Sequence, residues 1–157
     1  MIVKGIQEED FVNYKKPAMF ISFPSCTWKC EKECGKKVCQ NGTLATSPNI
    51  NIDVKTIVNK YINNPITHSI VCGGLEPFDT FDDLLQLISC IRVSTDDDIV
   101  IYTGYYKEEI ADKIPLLSKY KNIVIKFGRY FPGQKEHFDE VLGVFLISDN
   151  QYAEKIS

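Results

Sequence analysis

The chain has little of what would send it to a membrane, out of the cell or onto a nucleic acid. Its longest apolar runs are about six residues, where a membrane-spanning helix needs roughly 20. The N-terminus, MIVKGIQEEDF, has no apolar core of the kind a signal peptide carries. There is no basic block. The 18 basic and 21 acidic residues are interspersed, with a formal net charge of −3, which argues against nucleic acid or an anionic membrane as a partner. The two histidines, His68 and His137, have no partner at metal-ligand spacing and are read as structural. No internal repeat or low-complexity segment is visible. What remains is a chain of 157 residues, 44% hydrophobic, which suits one domain over residues 1–157 with one core. It is expected in the cytoplasm, where thiols stay reduced.

Cysteine is what the chain does have, and it is clustered. Cys26, Cys30, Cys34 and Cys39 fall within the stretch FISFPSCTWKCEKECGKKVCQN, directly after a short apolar run. Clustered cysteines in a reducing compartment point to metal before disulfides. Three arrangements are open. The four thiols can close a structural zinc site, although the C-x2-C spacing usual for zinc is missing. They can staple the loop as disulfides. Or three of them can hold an iron–sulfur cluster with one iron left open, an arrangement that makes sense when a substrate or cofactor must bind that iron. Cys72 and Cys90 are read as small core residues.

Periodicity gives the frame. Residues 18–23 are the first expected strand, and they run into a loop over residues 24–53, a length that in a compact domain usually signals function. Asp53 is placed to cap a helix over residues 54–61, whose apolar positions Val54, Ile57, Val58 and Tyr61 have helical spacing. A second strand over residues 68–72 stops at Gly73-Gly74. Thr80 is the expected cap of the next helix, with Asp82 and Asp83 in its first turn. Strands over 98–103, 122–127 and 141–148 and a helix over 107–120 complete the series; residues 1–17 show few periodic signals. This alternation predicts an α/β fold with a mostly parallel sheet of about five strands and right-handed crossovers. A complete eight-fold barrel takes about 250 residues, so an open or partial (β/α) barrel is expected.

FISFPSCTWKC…CQN resembles the cluster loop of the radical S-adenosylmethionine (radical SAM) enzymes. In that family a strand runs into C-x3-C-x2-C, whose three cysteines hold a [4Fe–4S] cluster while the fourth iron chelates SAM. The C-x3-C half is present as Cys26 and Cys30; the next cysteines come at longer spacing. The resemblance selects Cys39 as third ligand, because Cys39-Gln40-Asn41 matches the Cys-x-Asn ending of the nearest relatives, with Cys34 as the alternative. Four further stretches are similar, in order, to the activating proteins of anaerobic ribonucleotide reductases: Gly73-Gly74-Leu75-Glu76-Pro77 (a GGEP motif with Leu75 inserted), Tyr102-Thr103-Gly104-Tyr105, Gly128-Arg129-Tyr130 and Ser148-Asp149-Asn150-Gln151. The resemblance implies a radical SAM-type barrel and SAM contacts from Gly73, Gly74, Glu76, Thr103, Gly104 and Asn150, with Arg129 also near SAM. It implies a low-potential electron donor, and a partner glycyl radical enzyme, anaerobic ribonucleotide reductase, on which a glycyl radical is generated. No general base is called for.

Overall fold

Consecutive apolar residues, rather than alternating ones, mark the strands at the centre of this molecule. The computed structural model describes residues 1–157. In chain order its elements are β1 (Ile2–Val3), β2 (Gly5–Asp10), β3 (Ala18–Phe23), α1 (Lys29–Cys34), α2 (Gly42–Thr46), β4 (Ile50–Asn51), α3 (Val54–Ile62), β5 (Ser69–Gly74), α4 (Phe81–Arg92), β6 (Asp98–Tyr102), α5 (Ile114–Leu117), β7 (Ile123–Phe127), β8 (His137–Asp139), β9 (Val144–Leu146) and β10 (Tyr152–Lys155). Strands β5, β6 and β7 read SIVCGG, DIVIY and IVIKF and are buried almost throughout, as strands covered on both faces must be.

Six strands form one open sheet in the order β10-β7-β6-β5-β3-β2. The central four, β3, β5, β6 and β7, are parallel, with Met19 opposite Ile70, Ile70 opposite Ile99, and Ile99 opposite Ile123. The two edges, β2 and β10, are antiparallel to their neighbours. The sheet does not close, so the architecture is a mixed, open one and not a closed barrel. Each parallel step moves to the next strand in the same direction, and right-handed crossovers then put the connecting helices on a single face. That face holds the larger core, where Ile57 and Tyr61 of α3 and Leu84, Leu87 and Ile88 of α4 pack on Ile21, Ile70, Ile99 and Ile125. The opposite face has a smaller core of Ala18, Val71, Val100 and Val124, covered by Tyr14, Leu142 and Leu146. The covering is incomplete towards the carboxyl ends of the parallel strands, and the cavity described below opens there.

Several elements differ from expectation for identifiable reasons. Residues 1–17 contain β1 and β2; β2 reads GIQEED because it is an edge strand on which Glu8 and Glu9 face water, while Asp10 at its end is buried. The loop over 24–53 holds α1, α2 and β4, the last paired with β1. The expected helix over 107–120 is a 3-10 turn, Lys107–Ile110, followed by the one-turn α5, because Pro115 is tolerated only in a helix's first turn. The expected strand over 141–148 shrinks to β9, which pairs with β8 as a separate hairpin; β10 takes the edge of the sheet instead. Asp53 does cap α3, its carboxylate accepting from the Lys55 backbone N–H at 2.9 Å. Thr80 does not cap α4, and its hydroxyl is buried without a partner.

The end of β5 is fixed by a close approach. Gly74 has φ +81°, and a Cβ there would lie 2.9 Å from the Cα and Cβ of Ser22 on β3. Gly74→Ala combines left-handed strain with a backbone overlap that no flexible atom can relieve. It is expected to cost about 1–3 kcal/mol, read as a lower urea midpoint at unchanged m-value. A wild-type midpoint would show that this strand pair tolerates a wider spacing.

Candidate functional site

The cysteine loop leaves the carboxyl end of β3 and is pinned to its neighbours by polar contacts. Trp28 is in the left-handed region at φ 58°, which aims its backbone N–H at Cys26 Sγ, 3.2 Å away. The Asn41 N–H donates to Cys39 Sγ at 3.3 Å. The loop backbone is tied at Thr27, whose N–H donates to Asp79 at 2.6 Å, and at Asn41, whose Nδ2 donates to the Gly74 carbonyl at 2.5 Å. Tyr105 donates to the other oxygen of Asp79, so this member of the YTGY stretch braces the loop.

Cys26, Cys30 and Cys39 line one cavity of about 490 Å³, within the range of small-molecule sites. Gly74, Glu76, Thr103 and Gly104 line it too. Cys34 does not; it is the last residue of α1. Gly73 does not either, since its α-carbon packs against the Phe20 ring. Asn150 is turned away and donates to the Arg129 carbonyl at 3.0 Å, while its neighbour Gln151 is the one that reaches the cavity. Arg129 is 4% exposed and engages Glu33 and Glu109 instead of the cavity.

Glu76 is the buried acid of the site. Its Oε1 accepts from the Thr103 hydroxyl at 2.7 Å and the Phe78 N–H at 3.2 Å, and its Oε2 from the Gly104 N–H at 2.9 Å. Three of about four acceptor positions on the carboxylate are thereby filled, so Glu76 first joins the ends of β5 and β6. Gly104 is close to both partners: a Cβ on it would lie 3.4 Å from Cys30 Sγ and 3.6 Å from Glu76 Oε2. Burial pushes the Glu76 carboxyl up from 4.5 to about 7. A folded value above the unfolded one means folding favours the protonated form, so stability declines as pH rises from about 4.5 to about 7.

Sequence reasoning missed Lys126. It is the one charged residue in β7, and that interruption of an apolar strand was the available signal. Its ammonium lines the cavity, donates to the Gly128 carbonyl at 2.9 Å and has two N–H bonds to spare. Burial pushes it down from 10.5 to about 8. Gln151 lies beside it with a buried, unpartnered Oε1. The cavity therefore offers a buried cation, a buried acid and a free amide acceptor, arrangements that cost stability and cluster at functional sites.

The donors present fit an iron–sulfur cluster. All six cysteines are free thiols. No three His, Cys, Asp or Glu side chains converge on a single point. Thiols spread around a cavity suit a cluster, in which each iron takes its own cysteine, and backbone N–H groups directed at the sulfurs are a recognised control on such clusters. Burial pushes Cys26 up to about 11 and raises Cys30 as well, so bare thiols here hold their protons until metal displaces them.

Comparison with known proteins agrees. Residues 17–151 match the model of the 4Fe-4S single cluster domain. Over 71 residues the chain is 32% identical to the probable dual-specificity RNA methyltransferase RlmN of Malacoplasma penetrans (strain HF-2). That segment is 40% of this chain and only 20% of the relative, so the chain spans a small part of that protein. No solved structure gives a significant match. No helix is long and apolar enough to cross a membrane. With most of its length inside the family match and three of its six cysteines gathered on one cavity, the chain belongs to the 4Fe-4S single cluster domain family, within the radical SAM superfamily, and a [4Fe–4S] cluster is its cofactor.

Proposed function

We propose that this protein binds its cluster through Cys26, Cys30 and Cys39, binds SAM in the adjoining cavity, and generates a glycyl radical on a partner enzyme, anaerobic ribonucleotide reductase. Loaded there and reduced by a low-potential donor, the cluster would supply the single electron that splits SAM, with methionine leaving, and the hydrogen removed from the partner's glycine would end on the 5′-deoxyadenosyl fragment. The residues of the chain bind, orient and shield. The observation that carries the reading is three thiols, two of them with backbone N–H donors, set on a cavity whose buried polar groups have opposite charge. Lys126 suits the methionine carboxylate of SAM. The remaining acceptor position of Glu76, the Thr103 hydroxyl and the Gln151 amide suit its amino groups. Gly74 and Gly104 keep backbone close to the ligand, and Gly73 and Asn150 contribute from behind, through Phe20 and Arg129.

The rim of the cavity supports a macromolecular substrate. Val12, Phe145 and Ile147 line the cavity and are 73%, 63% and 40% exposed, an apolar margin that a partner surface can cover. The local match to an RNA methyltransferase favours a second reading, a radical SAM enzyme acting on another substrate class. The acidic net charge disfavours RNA as that substrate.

Anaerobic reconstitution is expected to give about four irons per chain. Cys34→Ala is expected to retain them, whereas Cys39→Ala loses them; the reverse result would reassign the third ligand. Lys126→Met is expected to keep the iron and the thermal midpoint but weaken SAM binding about 10- to 100-fold, the worth of one charge-assisted hydrogen bond. Unchanged SAM affinity would remove Lys126 from the ligand site. With SAM, reductant and the reductase present, electron paramagnetic resonance should show a glycyl-radical doublet on the reductase that is absent with Cys30→Ala. SAM cleavage without that doublet would favour the second reading.

A further inference from the structure

Helix α1 has no visible reason to stay where it is. It is six residues long, none of them buried, and no side chain caps its N-terminus. Isolated helices of this length do not hold in water. Yet α1 carries Cys30, whose position decides whether the thiol faces the cavity. Apolar packing does not hold the helix, so its polar contacts must.

Those contacts converge on Arg129. Its Nη2 donates to Glu109 Oε1 at 2.6 Å, and its Nε lies 2.9 Å from Glu33 Oε2, too far off line to be a hydrogen bond but a close ion pair. Glu109 also accepts from Lys29 Nζ at 2.9 Å. Lys29 and Glu33 are four residues apart on α1 and so share one face of it. The guanidinium is 4% exposed and lies over the Tyr106 ring, 4.4 Å from its centroid. The Tyr106 hydroxyl in turn reaches Glu33 at 3.4 Å. Arg129 is itself held from behind: Asn150 Nδ2 donates to its carbonyl, and Gly128 has φ +97° with Asn150 O only 2.8 Å from where a Cβ would sit. The next residue, Tyr130, lines the same cavity as Cys30.

We propose that Arg129 is a positioning residue for the cluster loop: paired with Glu33 and Glu109, it fixes the rotation of α1 so that Cys30 faces the cavity before any cluster is bound. The two motifs around it, Gly128-Arg129-Tyr130 and Asn150-Gln151, form the support of that clamp. Arginine is required because a planar guanidinium can meet two carboxylates at once, which an ammonium on a flexible stem does poorly. The inference rests on Cys30 being a cluster ligand, and its test reads the loop and the cluster separately.

The test uses the full chain with Arg129→Gln, Arg129→Lys and Glu33→Gln. Glu33 is half exposed, so Glu33→Gln keeps the test informative if an Arg129 variant fails to fold. In apo protein, hydrogen exchange across residues 28–34 is expected to quicken about tenfold in Arg129→Gln and Glu33→Gln, with β5 and β6 unchanged. Arg129→Lys should fall between them and wild type. After reconstitution to full iron, the electron paramagnetic resonance g-values of the reduced cluster should shift in Glu33→Gln, a change that general loss of stability would not produce. Wild-type exchange in residues 28–34 together with wild-type g-values would overturn the clamp. Separately, retention of the cluster by Cys30→Ala would overturn the ligand assignment while leaving the exchange result standing.

Discussion

The Glu76 carboxylate is the contact on which the rest of the site depends. A single buried acid accepts from Thr103, Gly104 and Phe78, and so joins the end of β5 to the end of β6. The parallel register of β3, β5 and β6 brings those ends to one level, beside the point where β3 releases the cysteine loop. Gly104 lies beside the Cys30 sulfur, so that a Cβ on it would meet Sγ in van der Waals contact at 3.4 Å. Loop, acid and strand ends form one unit.

The same unit carries charge that the fold would be more stable without. Burial raises Glu76 and lowers Lys126, and both shifts work against folding at neutral pH. Glu76 costs stability as pH rises above its unfolded value, and Lys126 costs stability as pH falls below its own. Retaining both in the lining of one cavity is reasonable where a ligand of mixed charge must bind. A hydrophobic isostere of Glu76 would leave the Thr103 hydroxyl and the Gly104 and Phe78 N–H groups without their acceptor, so the acid is needed by the strand ends as well as by a ligand.

How much of this was legible in the sequence depended on whether the signal was local. The buried strands β3, β5, β6 and β7 announce themselves by uninterrupted apolar residues, and α3 by its spacing and its Asp53 cap. The four clustered cysteines and the glycines after β5 and β6 marked the region of the site. Edge strands β2 and β10 were not legible, since GIQEED and YAEK look like surface loops until a neighbour supplies their hydrogen bonds. Pro115 stands in the middle of residues 107–120, but how completely it breaks the helix is visible only in the fold. Lys126 left a trace, a charge in the middle of IVIKF, whose direction the strand pattern alone does not decide. Arg129 was associated with the SAM pocket by motif order; its carboxylate partners lie far off in sequence, on α1 and on the turn Lys107–Ile110, and ion pairs of that kind leave no pattern in the chain. The same holds for Asn150, which supports Arg129 where its neighbour Gln151 meets the cavity.

The central claim is that three cysteines hold a cluster whose remaining iron is open to a ligand in the cavity. Mössbauer spectroscopy of protein reconstituted with ⁵⁷Fe, with and without SAM, tests it most directly. The account predicts that adding SAM shifts the isomer shift and quadrupole splitting of one iron in about four, and that Cys34→Ala behaves the same way. A spectrum in which all irons are alike and indifferent to SAM would mean that a fourth protein ligand closes the cluster, and would contradict the account.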